Sequence, residues 1–183
     1  MENRRRAQLN KGKYKHVTHE FGPVYDERSK ILILGSLPSV KSREQQFYYG
    51  HPQNRFWRVL AAVAGAGGSV PDSVDEKRAF LLESRVALWD VIAACDIIGS
   101  ADSTIKNVQG NDMSVILNTA DIRAIFTNGA KAHTLFWRYC MESCPPGLPV
   151  VRLPSTSPAN AAWSEERLIG AWQEEIGKYL QQL

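Results

Sequence analysis

The densest run of potentially reactive side chains lies at residues 35–57, where Gly35-Ser36-Leu37-Pro38-Ser39-Val40-Lys41-Ser42 leads through Tyr48, Tyr49 and His51 to Asn54-Arg55-Phe56-Trp57. A glycine placed ahead of Lys41-Ser42 in this way resembles a nucleotide phosphate loop. Val40, however, stands where the second glycine must turn the backbone to positive φ, and Pro38 removes an N–H donor. ATPase or GTPase chemistry is discounted. Ser36 or Ser39 with His51 as base would suit acyl transfer, but the Gly-x-Ser-x-Gly elbow is absent and no acid is placed to orient the histidine. These serines read as turn formers. Cys95, Cys140 and Cys144 form no Cys-x-x-Cys pair, and His16, His19, His51 and His133 lack metal-ligand spacing. Neither a disulfide framework nor a metal or iron–sulfur site is expected, and no cofactor.

Four β-branched or apolar runs are predicted to position these residues as buried strands: Ile31–Gly35, Val86–Ile92, Ile122–Thr127 and Pro149–Leu153. Helical spacing of apolar residues is found over Asn54–Ala64, Ala130–Met141 and Ser164–Leu183. Ser164 ahead of Glu165 and Glu166 is a favourable N-cap with acids in the first turn. Strands alternating with helices predict an α/β domain whose mainly parallel sheet is covered on both faces. Ligands of such sheets bind beyond the carboxyl ends of the strands. The polar loops Gly35–Gly50, Cys95–Asn111, Asn128-Gly129 and Pro154–Asn160 are expected there.

Gly35 to Trp57 resembles the first motif of the uracil-DNA glycosylase superfamily. His51-Pro52-Gln53-Asn54-Arg55-Phe56-Trp57 is similar to mismatch-specific uracil-DNA glycosylases, whereas Gly35-Ser36-Leu37-Pro38-Ser39 with Gln45-Gln46-Phe47-Tyr48-Tyr49 is more similar to the hypoxanthine-DNA glycosylase branch. Leu153-Pro154-Ser155-Thr156-Ser157-Pro158-Ala159-Asn160 resembles the second motif. The resemblance implies a three-layer α/β/α sandwich around a four-stranded parallel sheet, within one domain at residues 21–183. It also implies a monofunctional enzyme that flips a deaminated base, hypoxanthine by preference, out of DNA and hydrolyses its N-glycosidic bond. A mismatch uracil or thymine glycosylase is the nearest alternative, and a catalytically inactive lesion-binding module is the alternative of another class.

Two departures shape the expected site. Leu37 stands where most branches carry an Asn or Asp that handles the attacking water, and Leu153 stands where uracil-specific members carry His. In the hypoxanthine branch the resemblance moves the catalytic role to the Asn before Phe-Trp, here Asn54, which is also well placed as a helix cap. Gly35, Ser36 and Leu37 are expected at the base edge, and Tyr49, with Tyr48 as a near alternative, as the ring that stacks on the flipped base. Phe47 is expected to pack beneath the loop. Asp90 falls where related glycosylases place a base-reading Asn; a carboxylate there accepts the N1–H that hypoxanthine has and adenine lacks. A helix cap or loop salt bridge is the competing reading of Asp90. Pro154, Ser155, Thr156, Ser157 and Pro158 are expected to grip DNA. No lysine sits in either motif, so Schiff-base lyase chemistry is not expected.

Charge is uneven. The net +3 arises because residues 1–15 carry six of the 22 basic side chains, leaving 16 basic against 18 acidic residues in the remainder. Residues 1–20 are therefore expected to form a basic arm able to attract phosphates. No apolar run approaches the roughly 18 to 20 residues of a membrane span, and the start lacks the apolar core of a signal peptide. A monomer acting on chromosomal DNA inside the cell is the expectation.

Overall fold

The computed structural model describes residues 13–65, 69–99 and 102–180. Its centre is a parallel sheet of β2 (Ile31–Gly35), β3 (Val86–Asp90), β6 (Ala124–Asn128) and β7 (Val150–Leu153), ordered β3-β2-β6-β7. Every residue of β2 and β3 is buried, which is why both read as unbroken apolar runs. Helices cover both faces, as two neighbouring residues of β6 demonstrate. Phe126 meets Tyr179 on helix α6 (Glu165–Leu180), while Thr127 turns the other way to His133 on α5 (Ala130–Tyr139). The helix α2 (Phe56–Val63) packs on α6, with Phe56 edge-on to Trp172. Ser164 caps α6 as its sequence predicts, accepting from the Arg167 amide.

With one exception, the elements that the sequence leaves unpredicted are polar or very short. Helix α3 (Val74–Glu83) starts from a capping box of Ser73 and Glu76 but has little apolar periodicity. The short α1 (Val40–Gln45) interrupts the first long loop, and α4 (Ser114–Leu117) leads toward β6. A second, antiparallel sheet holds β1 (Lys15–Thr18), β4 (Ile92–Ile97) and β5 (Lys106–Gly110) in the order β1-β4-β5.

This second sheet corrects three expectations. The run Val86–Ile92 is not one strand: the chain leaves the parallel sheet after Asp90 and enters β4 at Ile92. At the crossing, the Val91 and Ile92 amides donate to the carbonyls of Gly35 and Ser36. Cys95–Asn111 is not one loop, because it contains the end of β4 and all of β5. The arm expected over residues 1–20 includes Lys15–Thr18, which pair with Ala94–Ile97 as a strand. Arg4, Arg5, Arg6 and Lys11 lie outside the described residues.

Sequence order within the parallel sheet reverses at β2: β3 lies on one side of it, β6 on the other. That reversal opens a crevice beyond the carboxyl ends of β2 and β6, the place where open α/β sheets bind ligands.

Candidate active site

A cleft of about 440 Å³ occupies this crevice, and its lining includes Gly35, Ser36 and Leu37 from the end of β2, Tyr49 and Asn54 from the first motif, Asp90 from the end of β3, and Asn128 from the end of β6. The second motif contributes Ser155, Thr156, Ser157 and Pro158. Pro154 is not among the lining residues; its carbonyl accepts from the Trp172 indole and ties the loop to α6. Leu153 is buried in the core, and Leu37 packs against the core while lining the cleft. Sequence predicts a site from residues far apart in the chain, and the fold brings all of them except Pro154 to one wall or floor.

The two motifs are bound together by a hydrogen-bond chain whose directions can be assigned from its backbone members. Asn54 Oδ1 accepts from the Phe56 amide at 3.0 Å, which fixes the side-chain amide orientation. The same oxygen accepts from Thr156 Oγ1 at 2.9 Å. Asn128 Oδ1 accepts from the Thr156 amide, so Asn128 Nδ2 is the group that donates to Thr156 Oγ1 and, at 3.0 Å, to the Tyr49 hydroxyl. Thr156 is fully buried and passes the chain from one asparagine to the other. Asn54 thus has a capping contact to the first turn of α2, although Arg55 occupies the N-cap position itself. Its Oδ1 is fully engaged, while Nδ2 has no partner among the described residues.

Arg55 locks the second motif from behind. Its guanidinium donates to the carbonyls of Thr156, Ser157, Asn160 and Trp163, giving a planar fork four acceptors on one loop. Gly129, with φ 97°, sits against Ser155: a Cβ there would approach Ser155 Cβ to 2.9 Å.

Of the three consecutive aromatics, two are structural. Phe47 is buried and stacked on Trp57, and Tyr48 is buried with its hydroxyl donating to the Gly22 carbonyl. Tyr49 differs. It adopts φ 52°, a left-handed conformation that non-glycine residues avoid unless the surroundings impose it. One ring face is covered by Phe56, with centroids 3.8 Å apart and planes within 13°. Burial, and then the Asp90 charge, push the Tyr49 hydroxyl well above its ordinary pKa despite the Asn128 contact. It therefore stays protonated, and because it accepts from Asn128 its own proton is free to point elsewhere.

Asp90 ends β3 and caps no helix; the pair it makes is with His19, which follows β1. Its side chain is 5% exposed and hydrogen-bonded through Oδ2 to His19 Nε2 at 2.8 Å. Asn111 holds its backbone carbonyl. The other oxygen, Oδ1, lies directly over Gly35, where a Cβ would stand only 2.2 Å from it and 3.0 Å from the Tyr49 hydroxyl. Glycine is needed here for close approach, not for its torsion angles. Gly35→Ala is accordingly expected to displace the carboxylate and slow the base excision that the resemblance implies about tenfold; a full ångström of misplacement can cost about 100-fold. A single-turnover assay beside a thermal melt checks this, and an unchanged rate would show that Gly35 does not set the floor.

Asn128 is the residue that the sequence reading passes over, taking it only as part of a loop. A polar amide ending a buried strand beside the switch point was the available signal. His51 lines the cleft too, with Nδ1 accepting from the Gln53 amide, as a loop-packing residue does. Among the described residues, no group of three or more His, Cys, Asp or Glu is placed to hold a metal ion. The Cys140 thiol is pushed up to about 12 by burial first, then by Cys144 and Asp112, and is no nucleophile.

A parallel sheet with a polar cleft at its switch point, built from two motifs at strand ends, is the architecture of a uracil DNA glycosylase. The chain belongs to the uracil DNA glycosylase superfamily, whose family model matches residues 23–181. It is 39% identical over 153 residues to a hypoxanthine DNA glycosylase of Methanosarcina acetivorans, covering 82% of this chain and 93% of that one. A hypoxanthine DNA glycosylase of Methanosarcina barkeri is 37% identical over 113 residues, 61% of this chain and 71% of the relative. The solution NMR structure of a candidate uracil DNA glycosylase from Methanosarcina acetivorans superposes with a TM-score of 0.65 at 36% identity, covering 84% of this chain and 95% of that one.

Proposed function

We propose that this protein is a monofunctional DNA glycosylase that takes a deaminated base, hypoxanthine by preference, into the cleft and hydrolyses its N-glycosidic bond to leave an abasic site. The observation that carries the reading is the floor of the cleft, where an acceptor, Asp90 Oδ1, and a donor, the Tyr49 hydroxyl, both adjoin Gly35. The lactam edge of hypoxanthine offers N1–H to the first and O6 to the second. Adenine offers a bare N1 and an amino group, so both contacts would be mismatched, and unpaired buried polar groups discriminate strongly. The amides of Ser36 and Leu37 supply further donors at the base edge; a ring whose hydroxyl meets that edge lies beside the base, so Tyr49 reads the edge and does not stack on it.

Departure of the base leaves positive charge on the sugar and negative charge on the base. Preorganised dipoles aimed at those charges are the expected catalyst. Asn54 Nδ2 is the free donor in the wall and orients the attacking water. The strand of DNA is held by Ser155, Ser157 and Pro158, together with Arg43 and Lys131, which also line the cleft, while Thr156, expected from sequence to share that role, is fully buried and fixes the loop from within. Gly129 begins α5 there without a side-chain cap, leaving amides for phosphate. The enzyme acts inside the cell, as a monomer and without a metal or cofactor.

Uracil is the second reading, because its N3–H beside a carbonyl presents the same donor and acceptor. Abasic-site formation tests the proposal against a lesion-binding module. A hypoxanthine duplex incubated with the protein and then treated with alkali is expected to break at the lesion; retention of the duplex without breakage would point to binding alone.

A further inference from the structure

We infer that His19 is a positioning residue for base reading: by holding Asp90 Oδ2 it leaves Oδ1 aimed at the ring N–H of the flipped base. The inference rests on the reading of Asp90 given above and adds to it a residue that lies before the family-matched span 23–181. His19 comes from the end of β1 in the second sheet, where its amide donates to the Ala93 carbonyl. Its side chain is 2% exposed and Nε2 lies 2.8 Å from Asp90 Oδ2. A carboxylate only accepts, so Nε2 carries the proton. Phe21, at 4.5 Å between centroids, and Tyr48, at 5.9 Å, flank the imidazole, and the Tyr48 hydroxyl ties the same segment down at Gly22.

Two features separate this from ordinary packing. First, Nδ1 is buried without a hydrogen-bond partner, the buried side-chain atom so left among the described residues. An aromatic or aliphatic side chain would fill the same space without that orphan but would lack the Nε2 donor that Asp90 Oδ2 accepts from. Second, Asp90 is restrained at every other point. Its backbone is fixed by the ladder to β2 and by Asn111, and Oδ1 is lodged against Gly35. The Oδ2 contact is what decides the rotation of the carboxylate about its last torsion. Residues 15–19, strand β1 and its end, therefore reach across to set the acceptor in the cleft.

The test is a double-mutant cycle read by single-turnover excision of hypoxanthine, with thermal melts on each variant. His19→Leu is expected to slow excision about tenfold in the parent, the loss associated with one hydrogen bond to a charged group. In an Asp90→Ala background the same change should alter the rate less than about twofold, because the partner of Nε2 is then gone and coupled residues are non-additive. His19→Gln, whose amide keeps a donor in reach, should restore most of the rate. Equal losses in both backgrounds, or a parental rate in His19→Leu, would overturn the inference. The reading of Asp90 fails separately, and takes this inference with it, if Asp90→Ala alone excises hypoxanthine at the parental rate.

Discussion

Asn54→Ala is expected to excise hypoxanthine about 100- to 1000-fold more slowly than the parent, the usual consequence of removing one preorganised polar group. The effect should exceed anything its structural contacts explain. Asn54 Oδ1 accepts from the Phe56 amide and from Thr156 Oγ1, so alanine also removes a cap worth about 1 kcal/mol and lowers the melting temperature by a few degrees. Asn54→Asp separates the two roles. Aspartate keeps an oxygen for both contacts and should melt like the parent, yet it lacks the Nδ2 donor and should excise slowly. A variant that melts lower while excising at nearly the parental rate would reduce Asn54 to a cap.

Asp90→Ala is expected to lower hypoxanthine excision by roughly 10- to 150-fold, corresponding to about 1.5–3 kcal/mol for a hydrogen bond to a buried charged group. The signature is selectivity. The loss should be larger for hypoxanthine than for a base without a ring N–H at that edge, because only the lactam gives a proton to Oδ1. Removal of the carboxylate also strands His19 Nε2, so some loss of stability accompanies it. Excision rates on a set of modified bases, with a melt for each protein, decide the matter. A uniform loss for every base together with a lower melting temperature would assign Asp90 to structure.

The legible part of this molecule was the part governed by local chemistry. β2 and β3 are buried on both faces and announced themselves as apolar runs, and α6 did so through Leu168, Trp172 and Ile176 on one face. Family likeness rested on the motif around Tyr49 and Asn54, and the fold and superfamily it implied agree with the structure. What stayed hidden depends on pairing between distant residues. β1 is Lys-His-Val-Thr inside a basic segment, and β5 is mostly exposed, so neither has an apolar pattern to read. β4 follows β3 after one residue, and only its partners reveal that the sheet has changed. His19 and Asp90 stand 71 positions apart, Asn128 and Tyr49 stand 79 apart, and Asn54 and Thr156 stand 102 apart. No spacing rule within one element reports such contacts. The stacking of Phe56 on the Tyr49 ring was equally out of reach.

Base choice by a lactam-reading floor is the central claim, and it is tested most directly by single-turnover excision from duplexes identical except for the lesion. Hypoxanthine, uracil and adenine at the same position are sufficient. Fast release of hypoxanthine, slower release of uracil and no measurable release of adenine are expected, since only the lactams match the proposed acceptor Asp90 and donor Tyr49. Adenine released as fast as hypoxanthine, or no base released from any duplex, would contradict it.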